Sequence, residues 1–238
     1  MSQLKVIEAI NQALDMAMDK NDKIMLLGED IGKVGGVFRT TAGLQKKHGE
    51  QRVVDTPISE MGIIGTAVGL SLNGFIPVCE IQFDGFLWTG FDQIINHVTR
   101  MRSRSRGRFS CPMVIRIPFG GGIHALEHHS ESMESVFSHI PGINVVIASN
   151  PVNAKGLLLA ALESPDPTIF LEPKRVYRAI KTEVPAEYYT QDTKKAVIER
   201  QGSQVTIISY GAMYTETKKA LAQYIQNNPI DFELIDLI

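Results

Sequence analysis

Cysteine is nearly absent from this chain of 238 residues: Cys79 and Cys111 are the only two, they stand far apart, and no Cys-x-x-Cys pair occurs. That excludes a zinc ribbon and a disulfide framework, and both side chains read as reduced thiols. Long apolar runs are lacking as well. No stretch approaches the roughly 18–20 residues of a membrane span. The start, Met1-Ser2-Gln3-Leu4-Lys5, has neither the charged segment nor the apolar run of a secretory signal, so the chain reads as cytoplasmic with no membrane partner. Neither sign of charge dominates: Lys and Arg total 24 against 26 Asp and Glu, and a formal net charge of −2 gives nucleic acid no reason to bind. With 44% hydrophobic and 21% charged residues, the composition excludes disorder and collagen-like repeats.

What is present alternates. Val6, Ile7, Ile10, Ala13, Leu14 and Ala17 recur at helical spacing, and after Asn21-Asp22 comes the compact apolar run Ile24-Met25-Leu26-Leu27. Further short apolar runs follow at Val53-Val54, 76–81, 114–117, 145–148 and 169–171, with helix-like stretches between most of them. Near-continuous apolar strands alternating with helices predict an α/β fold, a mostly parallel sheet with helices on both faces and ligands at the carboxyl ends of its strands. Ser59 is placed to cap a helix beginning at Glu60, and Asn150-Pro151 sets a cap residue before a first-turn proline. Gly62, Gly65, Thr66 and Gly69 share one stripe of the helix over 60–72. Glycine costs roughly 1 kcal/mol there, so a closely packed partner helix is expected to compensate.

Residues 1–175 thus read as one domain, 176–202 as a Pro-, Tyr- and charge-rich linker, and 203–238 as a strand, helix and strand opening a second α/β domain. A unit ending on an apolar strand leaves open sheet edges, and the chain therefore reads as truncated relative to a longer one.

Three segments carry candidate chemistry. In Asp55-Thr56-Pro57-Ile58-Ser59-Glu60, Glu60 stands at the mouth of a helix directly after a strand, either at an active-site edge or as a complement to the helix dipole. Phe83-Asp84-Gly85-Phe86-Leu87-Trp88 puts aromatic rings on a strand-to-helix loop, free to stack on a heteroaromatic cofactor or to cap the core. Phe119-Gly120-Gly121-Gly122-Ile123-His124 leads to His128-His129. The run lacks phosphate-loop spacing and metal-ligand spacing, and reads better as a mobile loop carrying one working imidazole. The alternating Arg100, Arg102, Arg104, Arg106 and Arg108 read as a solvated helix end, subunit salt bridges or a docking site for an acidic partner.

These segments also occur in a familiar order. Leu27-Gly28-Glu29-Asp30, Arg52-Val53-Val54-Asp55-Thr56-Pro57-Ile58-Ser59-Glu60-Met61-Gly62, Glu80-Ile81-Gln82-Phe83, Phe91-Asp92-Gln93-Ile94, Pro118-Phe119-Gly120-Gly121-Gly122 and Asp166-Pro167-Thr168-Ile169-Phe170-Leu171-Glu172 together resemble the beta subunits of the decarboxylating component of 2-oxo acid dehydrogenase complexes, most nearly those acting on pyruvate. The resemblance spans the chain. It implies a transketolase-like pyrimidine-binding domain and an enzyme active only in an alpha2-beta2 heterotetramer. Thiamine diphosphate would then be shared between subunits, with its diphosphate and magnesium on the alpha subunit. No Gly-Asp-Gly followed by a suitably spaced Asn occurs here to hold them.

By the same resemblance, Glu60 hydrogen-bonds the aminopyrimidine ring nitrogen through a protonated carboxyl, a state that burial favours. Phe86 packs against the pyrimidine. His129 lies near the reacting centre and serves as acid or charge stabiliser while the acyl group passes to lipoyl. Potassium-dependent relatives imply a cation held by the backbone carbonyls of Val114, Ala161, Leu162, Ser164 and Asp166, with Ser164 standing where some relatives have an acid. The implied activity is oxidative decarboxylation of pyruvate with acyl transfer to lipoyl-lysine, the partners being the alpha subunit, the lipoyl domain and the core acyltransferase. A branched-chain 2-oxo acid or acetoin subunit is the nearest alternative, and a non-catalytic assembly subunit the alternative of another class.

Overall fold

A computed structural model describes residues 1–238. Strand β1 (Ser2–Lys5) leads directly into α1 (Val6–Lys20), whose start is closed by the Lys5 amide donating to Glu8 Oε2 at 2.7 Å. The chain then runs through β2 (Ile24–Gly28), the short α2 (Leu44–His48), β3 (Val53–Asp55), α3 (Glu60–Leu72) and β4 (Ile76–Glu80). A tight 3₁₀ turn over Asp84–Gly90 passes into α4 (Phe91–Gln93), a π-helical turn (Ile94–Val98) and α5 (Met101–Arg104). Next come β5 (Val114–Phe119), α6 (Glu134–Ser138), β6 (Asn144–Ile147), α7 (Pro151–Glu163) and β7 (Thr168–Pro173). Both expected caps are made: the Ser59 hydroxyl accepts from the Gly62 amide at 3.2 Å, and Asn150 Oδ1 accepts from the Asn153 amide at 3.0 Å ahead of Pro151.

The main sheet has six parallel strands in the order β3-β2-β4-β5-β7-β6. One face is covered by α1 and α7 through Ile10, Leu14, Leu157 and Leu158, the other by α3 and the helical run after it through Ile63, Ile64, Ile94 and Val98. Burial on both faces is why these strands read as continuous apolar runs. No helix is long and apolar enough to cross a membrane.

The segment over 176–202 carries structure of its own. Strand β8 (Lys181–Val184) pairs antiparallel with β1, tying it back to the N-terminus, and β9 (Val197–Arg200) pairs antiparallel with β11 (Phe232–Asp236). β11 also pairs in parallel with β10 (Val205–Ser209), and α8 (Gly211–Tyr224) connects the two. Hydrophobic burial in this second unit is confined to a small cluster of Tyr214, Phe232 and Leu234.

A buried polar latch joins the three-stranded sheet to the loop after β6 and the start of α7. Asp236, at the end of β11, accepts hydrogen bonds from Ser149 Oγ at 2.8 Å and Asn153 Nδ2 at 3.1 Å, and the Gly211 amide donates to Ser149 Oγ at 2.7 Å. Burial pushes the Asp236 carboxyl up to about 6, against the lowering effect of these hydrogen bonds. Between about pH 4 and pH 6 the folded protein therefore keeps a proton that the unfolded chain has lost. Each step up in pH across that window costs stability, by at most about 1.4 kcal/mol per pH unit, and the loss is complete above the folded value. Urea midpoints measured from pH 4 to 7 are expected to show this falling contribution, and Asp236→Ala to abolish it whatever that variant's absolute stability.

Candidate active site

The carboxyl ends of β2, β3 and β4 converge on the start of α3, where Ser59 caps the helix and Glu60 occupies its first turn. Glu60 is 9% exposed, and its Oε2 accepts from Thr89 Oγ1 at 2.9 Å. Glu29, on the loop after β2, faces the same place. Its carboxyl is raised above the ordinary range first by burial and then by the charges of Glu60 and Asp30. Two acids and the positive end of a helix thus lie together at the carboxyl edge of the sheet, where α/β folds gather their ligands.

The 3₁₀ turn after β4 supplies an aromatic wall. The Phe86 ring lies 5.1 Å from the His129 imidazole and the Phe83 ring 4.4 Å from it, both edge-on, and the two phenyl rings are 5.5 Å apart. Trp88 does not join them; it packs on Phe91 and stays 46% exposed. Gly85 stitches the wall to the histidine loop, its amide donating to the His128 carbonyl at 3.2 Å. A Cβ on Gly85 would fall 2.4 Å from the His128 Cα and carbonyl oxygen, a backbone clash no rotamer relieves. Gly85→Ala is expected to displace the 128–129 backbone and lower turnover on the order of tenfold with helix content unchanged, since small misplacements at a reacting site are amplified in rate. Circular dichroism beside steady-state kinetics checks it.

Within the glycine run, the Gly120 amide donates to the Glu131 carbonyl at 2.8 Å and to Asp84 Oδ2 at 3.2 Å, so that amide is not free to cradle a phosphate. His124 and His128 adopt left-handed backbone (φ 57° and 67°) with exposed side chains and belong to no cluster of metal donors. The one such cluster, Asp15, Asp19 and His48, is occupied by Lys47 Nζ, 2.7 Å from Asp15 and 2.6 Å from Asp19. Of the arginine run, Arg102 pairs with Asp166 at 2.7 Å and Arg100 donates to the Ile95 carbonyl, while Arg104, Arg106 and Arg108 are exposed.

Ala161 and Leu162, in the last turn of α7, lead into the Ser164–Asp166 turn, and Val114 opens β5 directly across from Thr168. These five residues lie at the amino ends of the strands, away from Glu60. The Ala161 carbonyl accepts from the Ser164 amide at 3.3 Å, the Ser164 hydroxyl accepts from the Asp166 amide at 3.1 Å, and the helix C-terminus makes this end negative.

Sequence reasoning passed over a second layer beneath the site. Arg116, in β5, donates to Glu80 at 2.7 Å and to both oxygens of Glu172 at 2.7 and 3.0 Å, with Tyr177 Oη donating to Glu172 and Thr40 Oγ1 to Glu80. Asp84 and Lys174 form another buried pair beside it. The available signal was a charged residue inside an apolar strand, in Val114-Ile115-Arg116-Ile117, which a buried parallel strand tolerates only with a partner.

The sequence profile described as transketolase, pyrimidine binding domain, matches residues 2–180. The pyruvate dehydrogenase E1 component subunit beta of Acholeplasma laidlawii is 54% identical over 237 residues, covering 100% of this chain and 72% of that protein. This chain belongs to that family. The corresponding subunits of Bacillus subtilis (strain 168) and Mycoplasma pneumoniae are 48% and 47% identical, covering 100% and 97% of this chain and 73% and 70% of those proteins. Among solved structures, a split-gene transketolase described as an inactive beta4 tetramer superposes with a TM-score of 0.77 at 20% identity, over 99% of this chain and 71% of its own length, a likeness of fold. As a member of the E1 beta family, the chain is a beta subunit of a thiamine-diphosphate-dependent 2-oxo acid dehydrogenase.

Near Glu60 in the chain, Ile58 is 82% exposed and Met61 half-exposed, Leu126 on the histidine loop is 84% exposed, and no side chain of this protein lies within 4 Å of a Cβ placed on Gly69.

Proposed function

We propose that this chain is the beta half of an E1 component acting on pyruvate, and that it binds the pyrimidine side of thiamine diphosphate at Glu60, Phe86 and His129. The carrying observation is that the buried Glu60 carboxyl at a helix start accepts from Thr89, on the same 3₁₀ turn whose half-buried Phe86 ring packs edge-on against the His129 imidazole. The residues suit the group: Thr89 engages one carboxyl oxygen of Glu60, leaving the other for a ring nitrogen, and Phe86 offers an apolar surface to a flat ring. Bound thiamine diphosphate supplies the electron sink on which a 2-oxo acid loses carbon dioxide. Glu60 holds a proton at the aminopyrimidine ring nitrogen, Phe86 packs against the ring, and His129 acts as acid or stabilises charge as the acyl group passes to lipoyl. The diphosphate and magnesium belong to an alpha subunit, in an alpha2-beta2 assembly serving a lipoyl domain and core acyltransferase.

Co-expression with a matching alpha subunit, followed by 2-oxo acid-dependent dye reduction with thiamine diphosphate and magnesium, tests this reading. Pyruvate is expected to outrank branched-chain acids and acetoin. A different ranking reassigns the substrate, and no turnover from the assembled pair makes the chain an assembly subunit.

The second part of the proposal is potassium held by the carbonyls of Val114, Ala161, Leu162, Ser164 and Asp166. A ligand bound only by the folded state raises its stability. The unfolding midpoint is expected to be higher in KCl than in NaCl at equal ionic strength, and equal midpoints remove the site.

A further inference from the structure

Asp84 and Lys174 are both fully enclosed at their side chains, with Lys174 Nζ 3.6 Å from Asp84 Oδ1. Burying two charges is costly, and this pair lies beyond ideal hydrogen-bond distance; its Asp84 Oδ1 has no hydrogen-bond partner at all. Stability alone is therefore a poor account of it. Its connections are more telling. Asp84 is the first residue of the turn that carries Phe86 and Thr89, and its other oxygen accepts from the Gly120 amide. Lys174 Nζ also reaches the Pro118 carbonyl at 3.5 Å and stands 5.5 Å from the centre of the Phe83 ring, within cation–π range. Phe83 also packs edge-on against the His129 imidazole at 4.4 Å. Segments following β4, β5 and β7 thus meet at one ion pair, and the groups they deliver are Phe86 and His129. Burial raises the Asp84 carboxyl and lowers the Lys174 ammonium, each opposed by the other's charge, so neither group is suited to the site without its partner.

We propose that Asp84 and Lys174 are positioning residues for the reaction, holding Phe83 against His129 and thereby setting the imidazole and the Phe86 ring against the cofactor face. This rests on the reading that His129 takes part in turnover. A cycle of variants in the alpha-beta holoenzyme separates the two ideas: His129→Gln, Lys174→Met, and both together, with kcat and KM for the 2-oxo acid in each. Lys174→Met is expected to lower kcat by about 10- to 100-fold with KM within about threefold, Lys174→Arg to recover part of the loss, and Lys174→Met to add little once His129 is already replaced. The neutral pair Asp84→Asn/Lys174→Met removes both buried charges. It is expected to restore the unfolding midpoint while kcat stays low, and it serves if the single variant does not fold.

Equal losses from Lys174→Met with and without His129 overturn the positioning role, as does recovery of kcat in the neutral pair. Unchanged turnover in His129→Gln alone overturns the underlying reading of His129, and this proposal with it.

Discussion

Replacing Glu60 by alanine is expected to lower 2-oxo acid turnover of the alpha-beta holoenzyme by about 10²–10⁴-fold, the usual contribution of a positioned acid-base group. The size of the effect separates two roles that Glu60 could have at a helix start. A first-turn acid that only complements the helix dipole is worth about 0.3–1 kcal/mol of stability and nothing in rate. A carboxyl that holds a proton on the cofactor is worth little in stability and much in rate. Glu60→Gln is the sharper comparison, because glutamine keeps nearly the same shape and can still accept from Thr89 Oγ1 while losing the exchangeable carboxyl proton. Turnover near that of the unaltered enzyme in Glu60→Gln would return Glu60 to the helix-dipole role. A large loss with an unfolding free energy changed by less than about 1 kcal/mol assigns it to chemistry.

The second large effect is on folding. Arg116→Met is expected to destabilise the subunit by about 3–5 kcal/mol, read from urea unfolding at neutral pH. β5 is buried along its entire length, so Arg116 has no route to water and its guanidinium is 1% exposed between Glu80 and Glu172. The two carboxylates hold Arg116 firmly protonated against the burial that opposes its charge. Removing the cation leaves two buried acids facing one another, and Glu172, already raised by burial, loses the charge that lowers it. The loss comes from the stranded acids rather than from the net worth of the pair, and that has a measurable consequence. Adding Glu80→Gln and Glu172→Gln to Arg116→Met is expected to recover a large part of the stability, because charges that are absent need no compensation. A triple variant as unstable as the single one would place the cost in lost packing instead.

Much of the fold was legible from local pattern. The apolar runs at Ile24, Ile76, Val114, Val145 and Ile169 are the strands of the parallel sheet, and the Ser59 and Asn150 caps start α3 and α7 where the sequence places them. These features depend on neighbours a few residues away, which is the range over which periodicity and capping act. The π-helical turn over Ile94–Val98 and the pairing of β8 with β1 were not legible, since each answers to packing across the chain rather than to residues nearby. The candidate site divides in the same way. Glu60, Phe86 and His129 could be named from their motifs, whereas the placing of Glu29 toward Glu60 and of Lys174 over the Phe83 ring could not.

The sequence by itself determined the class of the fold and the family to which the chain belongs, because periodicity, caps and ordered motifs are written along the backbone. The tertiary structure alone decided which charges are buried together. Arg116, Glu80 and Glu172 come from three neighbouring strands, and Asp84 and Lys174 lie far apart in the chain. Strand order sets these meetings, and the cost of leaving a charge unpaired in a dry interior makes them necessary.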